Sequence, residues 1–209
     1  MQKPHRSQVA QFAWTASWLS VLFVLVYGYT NWRADVVTHK YEFYHVWELD
    51  MPFLPFMILP YFSLNLLTLT PLFYLSCPEL RRLGRAMGSA TIIAGFLFYV
   101  FPAPLGYLRP DVVPGWEPLF QFLHGVDRVN NTLPSLHVTY SFLTVFALWH
   151  RLEKRARVIY VAWLVLISCA VLFTWQHHVW DVITGVLLAF VCHRWLSPMP
   201  AEEGFRWDL

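Results

Sequence analysis

The length of its apolar runs limits this chain more than any other feature. Six stretches approach the ~20 residues that a membrane-spanning helix needs. They are Phe12 to Tyr29, Pro52 to Ser76, Ala86 to Phe101, Pro134 to Trp149, Val158 to Phe173 and Val179 to Trp195. Charged residues make up 13% of the chain and hydrophobic residues 57%, whereas a soluble domain carries roughly 25% charged residues. The alternating segments of about ten residues that mark a spanning β-barrel are not seen. The sequence therefore predicts an all-α polytopic membrane protein with six transmembrane helices in one bundle, a single membrane-embedded domain over residues 1–209. Pro52, Pro55, Pro60 and Pro71 predict a kinked or partly re-entrant second span. The stretch from Asn31 to Asp50 mixes aromatic and charged residues. It reads equally as an interfacial segment or an ordinary loop.

A formal charge of +2 gives no reason to expect a nucleic-acid partner. Cys77, Cys169 and Cys192 lack metal-like spacing and read as free thiols packed as small hydrophobes. Lys3 and Arg6 precede the first run, which is long and has no small-residue cleavage site after it. An uncleaved first span is expected.

Lysine and arginine set the orientation. Six spans put both termini and the second and fourth loops on one side, with eleven basic residues there against four on the other. The eleven include Lys3, Arg81, Arg82, Arg85, Arg151, Lys154, Arg155, Arg157 and Arg206. The positive-inside rule then puts the termini in the cytoplasm. The loops that hold Arg109, "NNTLPSLH" and "TWQHHVWD" fall on the opposite face.

That face collects the residues able to do chemistry. His137 and His177 are forty positions apart, about the length of one span in, a basic loop and one span back. His137 falls just inside the fourth helix, with Pro134 in its first turn and Thr132 as a possible cap. His177 falls at the start of the sixth. Two helix N-termini aimed at one spot favour an anion. His177 and Asp181 are (i, i+4) neighbours, so the carboxylate reaches the imidazole and fixes its tautomer. This is the nucleophile–orienter half of a triad. His178, (i, i+3) from Asp181, competes for the same partner. His137 suits a general acid, and Arg109 a fork for phosphate oxygens. The remaining histidines read as interfacial polar residues.

In this order "LRP" at Leu108 to Pro110, "PSLH" at Pro134 to His137 and "HHVWD" at His177 to Asp181 resemble the three motifs of the type 2 phosphatidic acid phosphatase superfamily. The motif core covers about residues 101–190. The resemblance implies six helices, no metal, no cofactor and a lipid phosphate substrate in the bilayer. It implies that His177 attacks phosphorus and becomes a phosphohistidine, that Asp181 orients it and that His137 is the general acid. Arg109 and Ser135 match phosphate-binding positions.

Two family cations are missing. Pro102 stands where the first-motif lysine is expected, and Ala170 and Val171 where the third motif has Ser-Arg. Asn130, Asn131, Tyr107, Gln176, Trp175 and His178 are the candidate donors in their place. The variant "N-x-x-PSLH … QHH-x-x-D" also looks like the branch that contains inositol phosphorylceramide synthase, which moves a phospho-head group between lipids. Three readings are carried forward. The first is a lipid phosphate phosphatase of the cell inner membrane, with its site on the extracytoplasmic face. The second is a phosphodiester head-group transferase using the same site. The third, from another class, is a haem- or metal-binding membrane protein with His137 and His177 or His178 as ligands. A transporter is disfavoured, since no second matching half is present. The lipid, the acceptor and the oligomeric state stay open.

Overall fold

The computed structural model describes residues 4–196, so Lys3 and Arg206 of the charge count lie outside it. The described residues are helical. α1 (Arg6–Val36) leads into a short 3₁₀ turn (Val46–Asp50). The second span is broken into 3₁₀ turns at Pro55–Met57 and Thr70–Phe73 around α2 (Ile58–Phe62) and α3 (Leu64–Leu69). Then come α4 (Cys77–Val100), α5 (Glu117–Val126), α6 (Leu136–Leu148), α7 (Lys154–Phe173) and α8 (Val179–Val191), the last ending in a π-helical turn.

Among the described residues four elements are long and apolar enough to cross a bilayer: α1, the broken span Pro55–Phe73, α4 and α7. α6 and α8 have 13 residues each, about 20 Å of helix. They fall short of that length, although they occupy the fourth and sixth predicted spans. The breaks in the second span follow its prolines, each of which withholds an N–H from the helical ladder.

α1 lies along α4, where Gly84, Gly88 and Gly95 make room for Thr15, Trp18 and Val26, the close approach that small residues permit between membrane helices. The opposite face of α1 is bare, with Trp14, Val21, Leu25 and Trp32 exposed, as a lipid-facing helix requires. Capping boxes fix the starts of α1, α4 and α8. In α4 the Ser76 N–H donates to Glu79 Oε2 at 2.7 Å, and Glu79 also holds Arg151 at 2.8 Å. That ion pair ties the foot of α4 to the turn between α6 and α7. The core runs through Ala90, Ala94, Phe98, Leu143, Leu148, Ile167 and Ala189.

The contact of α6 with α8 sets the site. A Cβ at Gly185 would stand 2.7 Å from the Ser135 carbonyl oxygen. The Ser135 N–H donates to the Asp181 carbonyl at 3.0 Å, and Thr139 Oγ1 to the Gly185 carbonyl at 3.0 Å. The first turn of α6 is thereby pressed on the first turns of α8. The Thr132 cap expected from sequence is displaced: Ser135 caps α6, its Oγ accepting from the Val138 N–H at 3.4 Å. Thr132 spends its hydroxyl on the Ala103 carbonyl.

Candidate active site

α7 ends at Phe173, and the chain reverses in three residues. The Gln176 and His177 N–H groups both donate to the Val171 carbonyl at 3.0 Å. Trp175 sits in the left-handed region at φ 55°, the conformation of a helix C-terminal cap. The turn delivers His177 one place ahead of His178, the N-cap of α8. His177 Nδ1 meets Asp181 Oδ2 at 3.2 Å, with Asp181 1% exposed and His177 6%. The same oxygen accepts from the His178 N–H at 2.8 Å. A carboxylate accepts, so Nδ1 of His177 carries the proton and Nε2 keeps its lone pair.

His137, in the first turn of α6, places Nε2 2.7 Å from the Tyr61 carbonyl oxygen and stacks on the Tyr61 ring at 4.0 Å. A carbonyl only accepts, so Nε2–H is the donor and Nδ1 is left for a ligand. Both imidazoles line one cavity of about 600 Å³. The structure thus brings His137, His177 and Asp181 together.

Arg109 reaches the same region. Its Nη1 donates to the Asp127 carbonyl at 2.6 Å and its Nη2 to Gln176 Oε1 at 2.7 Å, while the buried Nε has no partner. Its pKa is lowered by burial, with Asp127 pulling the other way. Gln176 is therefore the seat of Arg109, and its own Nε2 donates to the Thr174 carbonyl. Asn131 lines the cavity. With its amide oxygen toward α1 it accepts from Thr30 Oγ1 at 2.7 Å and Asn31 Nδ2 at 3.0 Å.

His178 sits in an aromatic stack. Its ring is sandwiched between Tyr44 and Tyr107, 4.6 Å from each, and Trp175 stacks on the far face of Tyr107. Its Nε2 accepts from the Gly106 N–H at 3.0 Å. Its Nδ1 lies 3.4 Å from Glu48 Oε2, near enough for a charge contact but without the alignment of a hydrogen bond. Burial lowers the His178 pKa against the pull of Asp181 and Glu48. Burial, with Glu48 and Asp181 nearby, pushes the Tyr107 phenol up to about 12. The ring is packed among aromatics, and His178, like Arg109, Ser135 and Gln176, is not among the residues that line the cavity.

Three residues at the site carry no signal in the sequence. Glu48 is fully buried and accepts from the Val179 N–H at 2.8 Å and from the His45 N–H at 2.9 Å. The free donors expected at the start of α8 are thus already held by Glu48 and Asp181. Tyr61 holds His137. Asp127 lines the cavity, and its carboxylate accepts from the hydroxyls of Tyr27 and, at 2.9 Å, Tyr61. The two positions lacking family cations are packed as apolar residues: Val171 is fully buried and Pro102 buried.

With this geometry in place, comparison assigns the class. The profile of the PAP2 superfamily matches residues 83–204, and the chain belongs to that superfamily. Members of that superfamily are phosphatases or phosphotransferases. Among curated proteins it is similar to an uncharacterized protein of Methanocaldococcus jannaschii, 41% identical over 134 residues, which are 51% of this chain and 55% of the relative. The chain thus spans about half the length of that relative. No solved structure matches.

Proposed function

We propose that residues 1–209 form one membrane-embedded enzyme that removes phosphate from a lipid phosphate or diphosphate through a phosphohistidine. The observation that carries this reading is the shared cavity: His137 from α6 and His177 from the turn before α8 line it together, and His177 is backed by Asp181. The Nε2 lone pair of His177 attacks phosphorus, and the ester P–O bond breaks. His137 acts in its doubly protonated form: its Nε2–H stays on the Tyr61 carbonyl and its Nδ1–H passes to the leaving oxygen. Water then attacks phosphorus and gives a proton to the now bare Nδ1 of His137, the P–N bond breaks with its electrons returning to Nε2 of His177, and inorganic phosphate departs. Arg109 neutralises the phosphoryl oxygens. Ser135, Asn131 and Gln176 support that pocket, Gln176 by seating Arg109.

In this reading α6 and α8 complete a six-span topology, with the termini cytoplasmic and the site at the outer face of the cell inner membrane. His177→Ala abolishes turnover of lipid phosphates in detergent while the helical circular dichroism is kept; full activity in that variant would remove His177 as the nucleophile. Among the described residues no three His, Cys, Asp or Glu side chains stand together as a metal site. Activity is accordingly expected to survive EDTA, and a loss restored by Zn²⁺ or Mg²⁺ would contradict this.

One observation favours transfer of a phosphodiester head group. Arg109 shares the site with the Asp127 carboxylate, and Pro102 and Val171 offer no charge. Such a site neutralises a monoanion better than a phosphomonoester dianion. Measuring free phosphate and new lipid species in parallel over a panel of phospholipids separates the two reactions.

A further inference from the structure

The cavity does not end at the histidines. α4 lines it from Phe98 to Leu80, and α1 from Tyr27 to Phe12. At 1.5 Å per residue these stretches run about 27 Å and about 22 Å, against roughly 15 Å for one leaflet of a bilayer core. Beyond His137 and Tyr27 the wall turns largely apolar, through Phe23, Leu19, Met87 and Leu83. α1 is pinned at both ends of this shaft. At its foot Gln8 Nε2 donates to the Leu75 carbonyl at 2.9 Å, and at its head Tyr27 donates to Asp127.

We infer that the shaft receives one hydrocarbon chain of the lipid, inside the protein, so that the enzyme reads chain length. The inference rests on the reading of His177 and His137 as a phosphoryl-transfer pair. Phosphorus at His177 puts the first carbons between Tyr27 and His137 and the chain end toward Phe12 and Leu80. A chain entering the shaft leaves bilayer for protein, two apolar media, so the gain comes from packing and not from escape from water. Fit then produces an optimum length, where partition from water would give a steady rise.

The test uses the full chain in detergent with lysophosphatidic acids from octanoyl to stearoyl. Ser20 and Ala16 line the shaft and stand about 10 Å and about 16 Å below Tyr27 along α1. In Ser20→Trp and Ala16→Trp the stearoyl-to-octanoyl ratio of kcat/KM is expected to fall roughly tenfold or more. The preferred chain is expected to be shorter for Ser20→Trp than for Ala16→Trp. In parallel, a lysophosphatidic acid with a diazirine at its chain end is photolysed on the wild type and the adducts are mapped by mass spectrometry. They are expected on the foot of α1 and the first turns of α4. Length-independent turnover in all three proteins, or adducts spread over the outward face of α7, overturns the shaft and leaves the histidine chemistry standing. If no chain length is turned over, the hydrolytic reading falls, and the adduct map still decides for or against the shaft.

Discussion

Glu48 is a fully buried carboxylate more than a hundred residues from the helix it serves. It accepts the Val179 N–H at 2.8 Å and faces the His178 ring, so it complements the positive end of α8 as an external anion would. Glu48→Ala leaves the buried Val179 N–H without its partner, at a cost of about 1–3 kcal/mol. A lowered melting temperature in detergent, with reduced kcat, is the expected result; an unchanged melt would show that water replaces the carboxylate. The His177–Asp181 pair was legible because four residues of local sequence define it. Glu48, Tyr61 and Asp127 were not, because their partners lie 66 to 131 positions away and no periodicity links them. His178 looked like a rival for Asp181, yet its backbone N–H, and not its ring, meets that carboxylate.

Between elements, the contact of α6 with α8 decides how far apart the two histidines stand. Ser135 meets Gly185 through a backbone oxygen, which no rotamer change can move aside. Gly185→Ala must therefore shift α6, and a displacement near 1 Å at a reacting centre costs about 10²-fold. The expected outcome is a kcat lower by about that factor with helicity retained. Wild-type kcat in the variant would mean that the helices part without moving the imidazoles. Sequence located these elements but not their ends. The apolar run from Pro134 suggested a helix beginning there, whereas Ser135 is the residue whose hydroxyl meets a first-turn N–H. The proline-broken second span was readable because each proline removes a donor wherever it sits in a helix. α5 escaped notice because its ten residues are too short to stand out as a run.

For the molecule as a whole, the starts of α6 and α8 share one end of the bundle, and the basic turn from Arg151 to Arg157 lies at the other. The positive-inside rule applied to that asymmetry predicts that the basic end faces the cytoplasm. In a cysteine-free background, Val112→Cys is expected to react with an impermeant maleimide from outside intact cells. Arg155→Cys is expected to react only in inverted vesicles, and the reverse pattern would place the site on the cytoplasmic side. The family profile begins at residue 83, so the Tyr61 carbonyl that steadies His137 comes from chain ahead of the shared part. A chimera joining this protein's motif-bearing half to another relative's leading half would inherit every signature residue and lose the grip on one imidazole. Relatives alike in their motifs can then differ in rate and pH response through segments that motif comparison never scores.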